Sequence, residues 1–433
     1  MPNDCKRPLS VDQDIQWAKT TTPPWFKHRS QVLRELVPCK KGNFSVAETG
    51  FGTNHHRMNT NHITLVKGQA SSSPKIGGRV TINDLARHLC MSKSTVSRAL
   101  NGYADISEST RKRVKRTALK LGYRPLSHAQ AIRTGRVRAI ALVLQNDEPD
   151  QHNPFLQEFL AGACEAASDL GWTVTIATAK SDQDMDAVLN RLIEERKADG
   201  FILPRTKVTD PRIRLLRRLG VPYIMFGRTG HGQKQPETDT SWFDISGETA
   251  MHNAVSRLVE LGHQRIGYVG SDPKFNYSQL RREGFTQGLY ATKLHPDPDL
   301  LREGARTREE GAVETRVLLQ LDQPPTAIVY ATDMAALGAY RTITELGLTV
   351  GKDVSVIGYD GVPESQYVRP PLTTYDVDTR MAGERLASLL VRQIRGEPAD
   401  NLRELQEAQL VERDSDGPPA LSSTELAAKI QKQ

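Results

Sequence analysis

Apolar residues change their spacing twice along this chain. Up to residue 78 they hold no sustained period, and the segment is built of stretches such as TTTPP, NHHRMNTNH and SSSP. Such a composition buries too little apolar area to offset the entropy of ordering. Residues 1–78 are therefore expected to be a disordered extension, with a natural start further down, for instance at Met58, as the alternative. From Val80 a helical period sets in. Ile82, Leu85, Ala86 and Leu89 fall at i, i+3, i+4 and i+7, the stripe of a short amphipathic helix. Ser92 stands where an N-cap belongs, ahead of a second helix in which Val96 and Leu100 face inward. Lys93 with Ser97, and Ser94 with Arg98, lie four apart on its outer face. A third helix is predicted from Ser107 to about Leu121, with Val114, Ala118 and Leu121 inward, Gly122 as its stop and Pro125 beyond. Three helices within residues 79–126, the first two joined by a tight turn, make an all-α helix-turn-helix headpiece.

After a linker at 127–137 the pattern becomes alternating. Strands are predicted at Ala139–Leu144, Trp172–Thr178, Gly200–Leu203, Pro222–Phe226, Ile266–Val269, Thr326–Tyr330 and Val354–Gly358. Helical stretches such as Phe155–Leu170, Met185–Arg196, Ile245–Leu261 and Met334–Leu346 separate them, and Gly171, Gly262 and Gly347 stand at helix stops. Repeated strand–helix alternation over residues 138–412 predicts an α/β body of two lobes with parallel sheets covered on both faces. Ligands of such folds bind beyond the carboxyl ends of the strands, so a site is expected in the cleft between the lobes. Residues 413–433 are too short for a convincing heptad zipper, so they give no ground for a tetramer, and they are expected to be a flexible tail.

Composition adds limits. The chain is 38% hydrophobic and 25% charged, and no apolar run approaches the roughly 18 residues of a membrane span. The start, MPNDCKRPLS, has no apolar stretch of a secretory signal. Cys5, Cys39, Cys90 and Cys164 form no CxxC pair, which fits a reducing, cytoplasmic setting and argues against a zinc finger. His55, His56 and His62 have no core to support a metal site, and no metal is expected. The net charge of +7 matters less than its placement: residues 79–136 hold 13 Lys/Arg against 3 Asp/Glu, whereas residues 137–433 sum to −9. A compact basic segment on a mildly acidic body is the footprint of a nucleic-acid partner.

Enzyme chemistry finds no foothold. The first body strand runs into LQNDEPDQHNPF without a GxGxxG turn, and GLTVGKD at 347–353 is misspaced for a phosphate loop. GxSxG and HExxH are absent. Neither catalysis nor a cofactor is expected. A periplasmic-type solute-binding protein would share the two-lobed body, but it has no use for a basic helix-turn-helix and would carry a signal peptide.

VTINDLARHLCMSKSTVSRALNGYADISESTRKRVKRTALKLGYRP, LGHQRIGYVGS, RREGFTQGL, YATDMAALGAYRTITELGL and DVSVIGYDGVPESQYVRPPLTT together resemble the lactose/galactose repressor family of bacterial transcription regulators, over about residues 79–412. The resemblance implies a periplasmic-binding-protein-like (type I) body and a second helix lying in the DNA major groove. There Lys93, Ser94 and Arg98 would face base edges, while Ser92, Thr95, Ser97 and Asn101 complete the DNA contacts, Thr95 and Ser97 on phosphates. The segment SHAQAIRTGR, residues 127–136, would be a hinge whose Ile132 wedges into the minor groove. For an effector the resemblance implies Arg281, in R-x-x-G-F, and Asp360, in GYD, with Thr332 and Asp333, Phe155, Asn276 and Arg228. Three departures stand out: Cys90 where glycine is common in the turn, Thr332 where asparagine is usual, and Arg306 where an aromatic often stacks on a sugar. The implied protein is a homodimeric repressor of carbohydrate genes, bound to double-stranded DNA at a palindromic operator and controlled by a sugar or sugar derivative. The alternative is a nucleobase or anionic effector.

Overall fold

A computed structural model of the chain describes residues 80–124, 135–145, 154–229 and 240–432. The expectations for residues 1–78, and for Ile132 in the hinge, lie outside the described residues.

The headpiece is three helices: α1 (Ile82–Leu89), α2 (Lys93–Leu100) and α3 (Glu108–Lys120). Each begins at a hydroxyl cap, with Thr81, Ser92 and Ser107 accepting from the backbone N–H of Asp84, Thr95 and Thr110. Leu85, Ala86, Val96, Ala99, Val114 and Ala118 form one buried cluster, so the helical stripes do meet. Between α1 and α2 the chain turns at Cys90, whose φ of 52° and ψ of 42° are left-handed. A side chain there costs about 1 kcal/mol relative to glycine.

Two six-stranded sheets follow, one in each lobe. In the first, β1 (Ala139–Gln145), β2 (Thr173–Ala179), β3 (Gly200–Leu203), β4 (Tyr223–Phe226), β5 (Ser241–Ser246) and β11 (Arg403–Glu407) take the order β11-β5-β4-β3-β1-β2 and pair in parallel. In the second, β6 (Ile266–Val269), β7 (Leu301–Arg302), β8 (Ala327–Tyr330), β9 (Ser355–Asp360), β10 (Thr373–Asp376) and β12 (Gln409–Val411) take the order β12-β10-β9-β8-β6-β7, with β12 antiparallel to β10. Central strands such as AIVY in β8 are buried along their whole length, as sheets covered on both faces demand.

Helices α4 (Pro154–Asp169), α5 (Asp182–Glu194), α6 (Pro211–Leu219) and α11 (Thr379–Ile394) cover the first sheet. Helices α7 (Gly247–Glu260), α8 (Asn276–Ala291), α9 (Arg308–Leu319) and α10 (Asp333–Glu345) cover the second. The chain passes between lobes after β5, after β10 and between β11 and β12. One predicted helix starts late: Ile245 ends up in β5, and α7 begins at Gly247 after Ser246 caps it by accepting from Thr249 N–H.

The end of the chain corrects the expectation of a flexible tail at 413–433. Ser415 is fully buried; its hydroxyl accepts from Thr373 N–H at 2.7 Å and donates to the Val356 carbonyl at 2.6 Å. Asp416 pairs with Arg257 at 2.6 Å. A last helix, α12 (Ser423–Gln431), buries Leu426 in the second lobe and ties Lys429 to Asp353 at 2.8 Å. Polar composition had hidden this segment because its polar atoms serve as mortar between elements rather than facing water.

Replacing Leu426 by alanine should accordingly destabilise the second lobe by about 2–5 kcal/mol. Urea unfolding followed by circular dichroism measures it, and a change below about 0.5 kcal/mol would mean the segment contributes nothing to the core.

Candidate functional site

On α2 the side chains sort as an exposed and a supporting set. Lys93, Ser94 and Arg98 are exposed together with Ser92 and Asn101, while Thr95 and Ser97 are half-buried. Ser92 is occupied as a cap, its Oγ 2.8 Å from both Ser94 Oγ and Thr95 Oγ1, and Asn101 Nδ2 donates to Ser97 Oγ at 3.4 Å. Arg98 is not idle: it pairs with Asp105 at 2.6 Å and lies over the Tyr103 ring at 5.6 Å. Lys93 is thus the exposed cation at the N-terminal end of the helix, and Arg98 also braces the loop that follows.

The second feature is a cavity of about 420 Å³ between the lobes. Its walls are the segments after β3, β4, β6, β8 and β9, the carboxyl ends of parallel strands, where the topology predicts a site. Arg281 projects into it from α8. Its guanidinium carbon sits 3.8 Å from the Tyr359 ring centroid and 4.8 Å from that of Tyr277, and Nη1 donates to the Ala331 carbonyl. Nη2 is 3.7 Å from Asp360 Oδ1, an ion pair beyond direct hydrogen-bond reach. Nε is buried without a hydrogen-bond partner among the described residues. Close packing makes this position possible: a Cβ on Gly247 would stand 2.8 Å from Arg281 Cγ, and one on Gly284 would stand 2.1 Å from the Glu248 carbonyl oxygen. A hydroxylated ligand fits such a pair, since arginine only donates and a carboxylate only accepts.

Not every residue named from the sequence reaches the cavity. Arg281, Thr332 and Asp360 line it, and so does Arg306. The hydroxyl of Thr332 also caps α10 by accepting from Ala335 N–H. Phe155 lies in the first turn of α4, and its side chain is outside the described set. Arg228, Asn276 and Asp333 are not among the cavity's lining residues. The guanidinium of Arg228 is taken up by Asp244 at 2.7 Å and by Glu248. Asn276 Nδ2 donates to the Arg228 carbonyl, across from one lobe to the other. It belongs to a latch: Lys207 and Phe275 form an antiparallel bridge, Val208 N–H donates to the Lys274 carbonyl at 3.0 Å, and Asn276 N–H donates to the Thr206 carbonyl at 3.0 Å.

Asp333 is fully buried, accepting from Thr374 Oγ1 at 2.6 Å and from Val362 N–H at 2.9 Å. It grips the loop that follows Asp360, whose φ of 120° lies where side chains are strained. Asp333 thus ties the loop after Asp360 to β10. Burial pushes its carboxyl up to about 6, against the pull of the hydrogen bonds from Thr374 and Val362.

Comparisons with known proteins agree with both halves of this architecture. Residues 81–126 match the model of bacterial regulatory proteins of the lacI family, and residues 255–415 match a periplasmic binding protein-like domain. The transcriptional regulator AglR of Rhizobium meliloti is 33% identical over 344 residues, which are 78% of this chain and 95% of that protein. The chain belongs to the LacI family. As a LacI-family protein it is a DNA-binding transcription regulator and not an enzyme. A solved structure of the regulator CelR with cellobiose is 30% identical with a TM-score of 0.61, covering 78% of this chain and 100% of that one. The Lac repressor dimer bound to operator and the anti-inducer ONPF is 26% identical with a TM-score of 0.65 over the same shares.

Sequence reasoning missed part of this LacI-family cleft. Lys207 with Asp182, Arg212 with Asp210, and Tyr277 all line it. Tyr277 adjoins Asn276, and Lys207 follows a predicted strand end in LPRTK, so position relative to the strands was the usable signal.

Because the folded chain favours protonated Asp333 more than the unfolded chain does, its contribution to stability is full below about pH 4. That contribution is lost as pH rises through about 6. Asp333→Asn should remove this component: the difference in unfolding free energy between pH 4.5 and 7 should shrink relative to wild type in urea titrations. An unchanged difference would place the titration elsewhere.

Proposed function

We propose that this LacI-family regulator is a homodimeric, cytoplasmic repressor of carbohydrate genes. It binds a palindromic operator through α2 and is controlled by a small-molecule effector of the sugar type held between the lobes. The observation that carries the effector reading is Arg281, stacked between two tyrosines and facing Asp360 across 3.7 Å. A sugar ring offers an apolar face to aromatics and vicinal hydroxyls that accept from a guanidinium and donate to a carboxylate. The CelR complex with cellobiose, a sugar held by a relative of the same fold, supports that reading. Among the described residues no helix is long and apolar enough to cross a membrane.

In mechanism this is a population shift. An effector that binds one interlobe arrangement better than another biases the lobes toward it. Through the segment at 127–137 the two headpieces of a dimer then lose, or gain, the spacing that an operator requires. The ligand is sensed, not transformed.

Two experiments test the two ends. On DNA, Lys93→Ala should cost about 1–3 kcal/mol and flatten base preference. Arg98→Ala, which also frees Asp105 and Tyr103, should weaken operator and scrambled duplex alike. Fluorescence anisotropy across a salt series reads both, and with about six phosphates neutralised the wild-type log–log slope should lie near −5. A slope near zero would remove the DNA reading. In the cleft, Arg281→Ala and Asp360→Ala should each weaken the sugar that wild type binds in a calorimetric panel by about tenfold or more, with operator affinity unchanged. Normal sugar binding by both variants would mean that the effector sits elsewhere.

A further inference from the structure

Charge in the cleft is not balanced. Lys207 is paired with Asp182, Arg212 with Asp210 at 2.6 Å, and Arg281 faces Asp360. Asp244 is claimed from behind the wall by Arg228 at 2.7 Å. Arg306 also lines the cavity, from the loop between β7 and α9, and it makes no ion pair among the described residues. The nearby carboxylate of Glu310 is committed to the backbone amides of Arg306 and Thr307, at 2.8 and 3.0 Å. Asp272 is held below the usual carboxylate range, its burial outweighed by hydrogen bonds from Lys274; Arg306 adds a weaker pull. Lys274 already neutralises it at 3.0 Å. Arg205 also lines the cavity and acts on the Tyr277 phenol.

A guanidinium at the cavity wall that no carboxylate engages directly is free to meet an anion that a ligand brings. We propose, resting on the effector cleft described above, that the effector is an anionic polyol: a hydroxylated ring bearing one carboxylate or phosphate. Its hydroxyls engage Arg281 and Asp360, and its acidic group engages Arg306. Arg306 is then the residue that selects charged over neutral ligands. A guanidinium suits either acid, because both present paired oxygens to its fork of N–H donors.

The test is calorimetry on the full chain with glucose, glucuronate and glucose 6-phosphate, in wild type, Arg306→Gln, Arg306→Lys and Asp360→Asn. At least one charged probe should bind wild type about tenfold or more tightly than glucose, the scale of one charge-assisted hydrogen bond. Arg306→Gln should erase that preference, Arg306→Lys should keep most of it, and Asp360→Asn should weaken every probe that binds. Preference for glucuronate identifies a carboxylate, and preference for glucose 6-phosphate a phosphate. Should glucose bind as tightly as both charged probes, with Arg306→Gln without effect and Asp360→Asn still weakening it, the anionic proposal is overturned and the sugar cleft stands. If no probe binds, or Asp360→Asn changes nothing, the cleft reading fails and the proposal with it.

Discussion

Room for one guanidinium governs the cleft. Arg281 can lie between Tyr277 and Tyr359 only because α7 starts with a residue that has no side chain and because α8 crosses it at another. Gly247 leaves space for the arginine stem, and Gly284 lets the two helix backbones touch at Glu248. That close crossing has a second effect, since Glu248 is also a partner of Arg228, which in turn secures Asp244 at the end of the first sheet. A single packing contact thus sets the distance between the charged floor of the cleft and the strand ends that wall it. Adding a methyl group at either glycine would displace backbone or arginine, and well-packed interiors have little slack for either.

Much of this was legible in the sequence where local rules decide. The three headpiece helices and strands such as β1, β3, β6 and β8 follow period, cap and stop signals that act over a few residues. Strand β11, RELQE, lies at a sheet edge with its last three residues exposed, Leu405 among them, so it carries no apolar signature. Strand β5, SWFDIS, mixes polar and apolar positions, and its burial comes from neighbours distant in sequence. Segment 413–417 reads as a polar tail because Ser415 and Asp416 find partners at Thr373, Val356 and Arg257, far away along the chain.

The candidate site divides in the same way. Arg281 and Asp360 stand in motifs and do reach the cavity. Asp333 stands in a motif and Asn276 between two of them, and both, like Arg228, hold the walls together, because a short stretch of sequence does not distinguish a wall contact from a ligand contact. Lys207 and Arg212 carry no motif; only the fold gathers them from the end of β3 and the start of α6. In the headpiece, Cys90 adopts the left-handed turn that its residue type disfavours, which shows the packing of α1 against α2 overriding local preference.

The backbone latch between residues 206–208 and 274–276 bears on timing. Its few hydrogen bonds contribute about 1 kcal/mol each in net terms. The latch therefore favours the arrangement in which the lobes meet, and hinge motions of the kind that would part it run on the microsecond-to-millisecond scale. A ligand that fits meets a chamber already shaped for it and gives up little affinity to closing it. What the latch restrains is passage: a molecule once inside leaves no faster than main-chain bonds part. On the effector reading proposed above, response to a falling ligand concentration would be set by a gate of backbone, which side-chain changes inside the pocket would leave in place.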